Sequence, residues 1–195
     1  TITVALNTAS GLPVTVPFVV SGSATTTVDY TVTSSPVVIA AGATTTTITI
    51  TVVDDTLNEN PETVIVTMGT LTNGTAGATT THTATITDND AQPTVTFTTG
   101  SQSQLESVVT QTITVAINTA SGLPVTVPYT VSGSATTTVD YTITTSPVVI
   151  AAGATTTVVT ITVVNDTLDE NNETVVVAMG TPTNGLAVGT TTHTA

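Results

Sequence analysis

The feature that most constrains this chain is that it is written twice. Thr1-Ile2-Thr3-Val4-Ala5 returns as Thr112-Ile113-Thr114-Val115-Ala116, and the same offset of 111 residues carries Asp29-Tyr30 onto Asp140-Tyr141 and His82 onto His193. The match runs to the last residue, Ala84 against Ala195, with roughly four in five aligned positions identical. Two copies of one pattern in 195 residues mean two domains, not one large one, with expected boundaries at 1–90 and 91–195.

Within each copy the apolar residues alternate with period two. Ile2, Val4 and Leu6 alternate with Thr1, Thr3 and Ala5; Val14, Val16, Phe18 and Val20 with Thr15, Pro17 and Val19. Ile48, Ile50 and Val52 alternate with Thr47, Thr49 and Thr51, and Val64, Val66 and Met68 with Ile65 and Thr67. Each run predicts a half-buried strand with a threonine face. Substitutions between the copies support this: Leu6/Ile117, Phe18/Tyr129, Val32/Ile143, Ile48/Val159 and Ile65/Val176 keep volume nearly constant and are expected to face inward. Turn chemistry separates the runs at Ser10-Gly11-Leu12-Pro13, Ser21-Gly22-Ser23, Ala41-Gly42-Ala43 and Asn73-Gly74, the last read as a hairpin signal. Thr, Val, Ile and Ala dominate the composition, and no stretch reads as helix. The expected fold class is all-β: two tandem immunoglobulin-like antiparallel β-sandwiches.

Acid is concentrated in one recurring loop. Asp54-Asp55-Thr56-Leu57-Asn58-Glu59-Asn60-Pro61-Glu62 returns as Asn165-Asp166-Thr167-Leu168-Asp169-Glu170-Asn171-Asn172-Glu173. The chain has 13 carboxylates, no Lys and no Arg, so no side-chain cation offsets the formal charge of −13. At an effective dielectric of ~20, two carboxylates ~4 Å apart repel by ~4 kcal/mol. A compact cluster therefore needs a metal ion or must splay into water. Hard oxygen donors on a loop suit Ca²⁺, whereas the absence of Cys and the isolated histidines disfavour Zn²⁺. An EF-hand is excluded, because the twelfth position counted from Asp88 is Thr99 and not Glu.

The same composition removes other classes. So acidic a surface makes nucleic acid or an anionic membrane an implausible partner, and no apolar run approaches the ~18–20 residues of a membrane span. Without Cys there is no disulfide, and without Lys no isopeptide cross-link or phosphate-binding P-loop. No Gly-x-Ser-x-Gly elbow occurs, and a glycosidase cleft lacks the aromatic lining it would need. His82 and His193 sit in threonine-rich strand sequence and are expected to face solvent, so the chain is not read as an enzyme. A chain with no trypsin-type cleavage site suits an extracellular or cell-surface location. It opens at Thr1 in mid-pattern, as expected of a processed product or a window on a longer protein. The first strand of repeat 1 and the closing strand of repeat 2 would then lie outside it.

In this order, twice, the motifs resemble tandem Calx-β domains. Val20-Ser21-Gly22-Ser23-Ala24 with Asp29-Tyr30, and residues 129–135 with Asp140-Tyr141, are similar to that family's "sGtA…DY" signature. Ala41-Gly42-Ala43, Asp54-Asp55, Glu59, Glu62 and the closing Asp88-Asn89-Asp90 are similar to the remainder. The resemblance implies a seven-stranded immunoglobulin-like sandwich that binds Ca²⁺ at one end in several members. Carried over residue by residue, it implies ligands at Asp29, Asp54, Asp55, Glu59, Glu62, Asp88 and Asp90 in the first copy. In the second copy the implied ligands are Glu106, Asp140, Asp166, Glu170 and Glu173. Two departures stand out: Asn165 replaces Asp54, and the second copy's closing Asp-Asn-Asp falls beyond Ala195.

Two functions follow. One is a calcium-rigidified structural repeat of an extracellular surface protein, adhesin stalk or self-assembling fibre. Its partners would be further repeats or other copies, joined by strand addition at edges that carry no Lys. The alternative is a calcium-sensing regulatory pair like that of sodium–calcium exchangers; the near-identical copies and the missing Lys and Arg count against it, the Asp54/Asn165 asymmetry for it. A carbohydrate-binding role lacks an aromatic platform.

Overall fold

The computed structural model describes residues 1–167 and 171–195. By its contacts the chain divides into two compact units, one of Thr1–Asp55 with Asn60–Asp88, the other of Thr56–Glu59 with Asn89–Ala195. Among the described residues every regular element is a strand, and no helix is long and apolar enough to cross a membrane.

The first unit contains β1 (Ile2–Ala5), β2 (Val14–Val16), β3 (Phe18–Ser21), β4 (Tyr30–Val32), β5 (Val37–Ile39), β6 (Thr45–Ile48), β7 (Ile50–Val52), β8 (Glu62–Met68) and β9 (Thr81–Ile86). The second contains β10 (Thr94–Phe97), β11 (Thr110–Ile117), β12 (Val125–Val127), β13 (Tyr129–Gly133), β14 (Tyr141–Ile143) and β15 (Val148–Ile150). It continues with β16 (Thr156–Val163), β17 (Val175–Met179), β18 (Leu186–Ala187) and β19 (Thr192–Thr194).

In the second unit a five-stranded sheet runs β14-β16-β11-β10-β18, facing β13-β17-β19 and the pair β12-β15. Both faces feed one core: Val95, Phe97, Ile113, Val115, Ile117 and Ile161 from the first sheet, and Val125, Val127, Tyr129, Ile150, Val175 and Val177 from the strands opposite. That is a β-sandwich, built on the alternation seen in sequence. Among the named strands pairing is antiparallel except between β10 and β18, which run parallel over Thr94↔Leu186 and Val95↔Ala187; isolated parallel bridges join Ser101 to Thr194 and Thr137 to Tyr141. The first unit repeats the arrangement with β1-β6, β4-β7, β2-β5 and β3-β8-β9 around Val4, Val14, Val16, Phe18, Ile39, Ile48 and Val66.

Three details differ from the sequence reading, each for a local reason. The run from Val14 to Val20 is two strands, because Pro17 has no N–H for a ladder. β2 pairs with β5, β3 pairs with β8, and the Pro17 carbonyl accepts Gly69 N–H at 2.8 Å where the chain changes sheets. Pro128 does the same between β12 and β13, its carbonyl accepting Gly180 N–H at 2.8 Å. Asn73-Gly74 is not a tight hairpin turn. It lies inside the longer connection between β8 and β9, where Asn73 holds φ 61° and its Nδ2 donates to the Pro13 carbonyl at 2.9 Å. Ile65 and Val176 are half-buried only, since the inward register of their strands belongs to Val64, Val66, Val175 and Val177.

The histidines also part company. His82 is exposed, as expected. His193 corrects the expectation: it is 0% exposed. Residues 94–102 are the cause. β11 pairs with β10 as well as β16, whereas the equivalent β1 pairs with β6. Beyond β10 the chain runs on beside β19, where Gln102 N–H donates to the Thr194 carbonyl and Thr194 N–H to the Gly100 carbonyl, both at 3.0 Å. His193 is thereby enclosed. Its Nδ1 donates to the Thr99 carbonyl at 2.7 Å, and its ring meets Phe97 edge to face with centroids 6.4 Å apart.

Candidate metal centre

The acidic loops sit at strand ends, and backbone hydrogen bonds fix their entry points. In the second unit, Thr136 N–H donates to Asp140 Oδ2 at 2.6 Å, closing a tight loop just before β14. The Asp140 carbonyl accepts Val164 N–H at 2.8 Å, which holds the departing end of β16 beside it. Asp166 N–H donates to Glu106 Oε1 at 2.8 Å, so the loop between β10 and β11 is brought to the same end. The signature segment, rich in Ser and Thr, contributes the fourth side: Thr174 N–H donates to Ser134 Oγ at 2.9 Å, and Ala135 N–H to the Thr174 carbonyl at 3.1 Å, which places Glu173 beside the turn after β13.

These loops line a half-open cavity of about 560 Å³ within the second unit. Glu106, Asp140 and Glu173 line it, three of the five carboxylates implied for this repeat, with Asn171 and Asn172 adding amide oxygens. Tyr141, Ile161, Val163 and Val175 form its apolar side. Asp166 joins through its backbone bond to Glu106, and Glu170 lies outside the described residues.

One lining residue went unnoticed in the sequence. Gln111 is 5% exposed and its Nε2 has no hydrogen-bond partner among the described residues. It occupies the inward register of β11 ahead of Ile113, Val115 and Ile117, pairs with Ile161 across the ladder, and lines the same cavity. The signal was present as a polar residue at an inward position of a period-two series.

The first repeat carries the same loop around Asp29. Thr25 N–H donates to Asp29 Oδ2 at 2.5 Å, and the Asp29 carbonyl accepts Val53 N–H at 2.9 Å, just before Asp54 and Asp55. Asp29, Asp54, Asp55, Glu62 and Asp88 belong to the first unit, while Glu59 and Asp90 belong to the second. The seven carboxylates implied for the first copy thus do not all belong to one compact unit.

Among the described residues, no three acidic or imidazole groups stand close enough together to hold a metal directly. The donor chemistry of the second-unit cavity nonetheless fits a hard divalent cation: several carboxylates and amides, no thiol, no side-chain cation, and a buried amide lacking a partner. An ion such as Ca²⁺, which takes 6–8 oxygens, would be held by Glu106, Asp140 and Glu173 with help from Asn171 or Asn172.

Comparison with known proteins follows from this geometry. The family model described as "Calx-beta domain" matches twice, over residues 1–92 and 88–195. Among solved structures, the crystal structure of CBD12 from CALX1.2 is similar at 18% identity, covering 98% of this chain and 90% of that one, with a TM-score of 0.47. The crystal structure of calcium binding domain CBD12 of CALX1.1 is similar at 16% identity, covering 99% and 91%, with a TM-score of 0.44. No curated protein matches the chain at a significant level.

Proposed function

We propose that this chain, which belongs to the Calx-beta domain family, acts as a calcium-responsive regulatory pair. The observation behind the reading is the second-unit cavity, which Glu106, Asp140 and Glu173 line from three separate loops in a chain without Lys or Arg. Calcium would supply the positive charge that this protein's own side chains lack. The residues do the rest. The Thr136 and Asp166 amides orient the Asp140 and Glu106 carboxylates, and the apolar wall of Tyr141, Ile161 and Val175 limits how much water surrounds them. Occupancy then depends on bringing the acidic loops inward against their mutual repulsion, a closure that differs in free energy between the ion-bound and ion-free protein. The two repeats differ at Asp54 and Asn165, so their responses are expected to be unequal, as a sensor requires.

With free Ca²⁺ about 100-fold above its dissociation constant, one site adds ~2.7 kcal/mol to the unit that binds it. The melting temperature is accordingly expected to rise by several degrees from EDTA to millimolar Ca²⁺, and Glu173→Gln with Asp140→Asn should remove most of the second unit's rise. A melting profile identical in EDTA and Ca²⁺ would defeat the proposal.

A second reading is favoured by the surface. Val19, 66% exposed on β3, and Val38 and Val149 on β5 and β15 are exposed on strands that carry no charge, each opposite a threonine across its ladder: Thr67, Thr15 and Thr126. Such faces suit a calcium-stiffened repeat of a cell-surface protein that joins other copies. Sedimentation in Ca²⁺ separates the two: concentration-dependent self-association favours the structural repeat, a persistent monomer the regulatory pair.

A further inference from the structure

We propose that Gln111 is a positioning residue of the second-unit cavity: its buried amide completes the hydrogen bonding around a bound calcium ion and sets the ion's affinity. The proposal rests on the calcium reading of that cavity. Three observations converge on this one side chain. It is 5% exposed, at an inward position where β11 otherwise carries Ile113, Val115 and Ile117. Its Nε2 has no hydrogen-bond partner among the described residues. And it lines the cavity that also receives Glu106, Asp140 and Glu173.

A buried amide donor without a partner is destabilising, and an apolar side chain of similar size would fill the position without that cost. The carboxylates that line the same cavity are acceptors with several lone pairs each, and so are ion-bound waters. A Gln amide at this depth can donate from Nε2 to a carboxylate that faces the ion, or turn its Oε1 toward the ion, without adding further negative charge to a site already rich in it. Glu106 and Asp140 are already engaged on one oxygen by backbone N–H groups. A neutral amide lining the same cavity can add a further donor to these carboxylates. Groups that orient metal ligands in this way typically change affinity 10–100-fold when removed.

The test compares Gln111→Leu, Gln111→Glu and the parent protein, each titrated with Ca²⁺ alone and followed by hydrogen exchange in the segments 103–111 and 171–175. Gln111→Leu is expected to melt no lower than the parent in EDTA, since it removes an unpartnered polar group, and to bind Ca²⁺ at least ten-fold more weakly. Gln111→Glu is expected to melt lower in EDTA and to recover affinity, because a carboxylate can again meet the ion or its waters. These opposite signs are not what a packing role alone would give. Loss of stability in EDTA for Gln111→Leu, or parental calcium affinity in that variant, overturns the proposal. Absence of any calcium-dependent protection in the parent instead overturns the calcium reading beneath it, so the two failures are distinguishable.

Discussion

Gly133→Ala is expected to destabilise the second unit by about 3–5 kcal/mol, from backbone strain and overlap together. Gly133 ends β13 at φ 131°, a conformation that side-chain-bearing residues rarely adopt. A Cβ there would overlap the Thr174 carbonyl oxygen and approach Val175 Cα to 3.2 Å. The neighbouring backbone has little room to yield. Gly133 pairs with Val175 in the β13–β17 ladder, and the Thr174 carbonyl already accepts Ala135 N–H at 3.1 Å. Moving Thr174 also moves Glu173, so the same change should weaken calcium binding. Gly153→Ala is the control: its φ is 77° but no atom lies within 4 Å of a Cβ built there, so strain alone should cost about 1–3 kcal/mol. Urea denaturation followed by circular dichroism measures both. Equal losses in the two variants would contradict the overlap argument.

Phe97→Ala carries the other large effect, about 3–5 kcal/mol for an aromatic side chain that is 2% exposed in a closed core. It reports on more than stability. Phe97 meets the His193 ring edge to face, and the chain that follows it supplies the Thr99 carbonyl that accepts the His193 Nδ1–H. In the parent protein an acylating reagent such as diethyl pyrocarbonate is expected to modify exposed His82 and leave His193 untouched. In Phe97→Ala both should react. Protection of His193 in the variant would mean that β10 does not shield it.

Much of this was readable in the chain. Period-two alternation placed the strands, and the 111-residue offset made each copy a check on the other. Pro17 was visible but read as a member of a continuous run, and Pro128 stands at the matching position of the second copy. Their missing N–H groups are what let the chain leave one sheet for the other. The burial of His193 was not read, because its local sequence nearly repeats that of exposed His82 and residues 94–102 enclose it in the fold. Burial there is a tertiary property. The carboxylates were legible as acid gathered at loop positions in a chain with no Lys or Arg to pair with it. What the sequence concealed was Gln111, hidden by its place in an apolar series, and the placing of Glu106, Asp140 and Glu173 around one cavity by distant loops. Asn171 and Asn172 were seen as loop residues and not as donors.

Diffraction from crystals grown in millimolar CaCl₂ decides whether the second-unit cavity holds calcium through Glu106, Asp140 and Glu173. An anomalous difference peak inside the cavity, with oxygens of Glu106, Asp140 and Glu173 at about 2.3–2.6 Å from it, is the predicted result. Ordered water alone in the cavity at that calcium concentration, with the three carboxylates still apart, would contradict it.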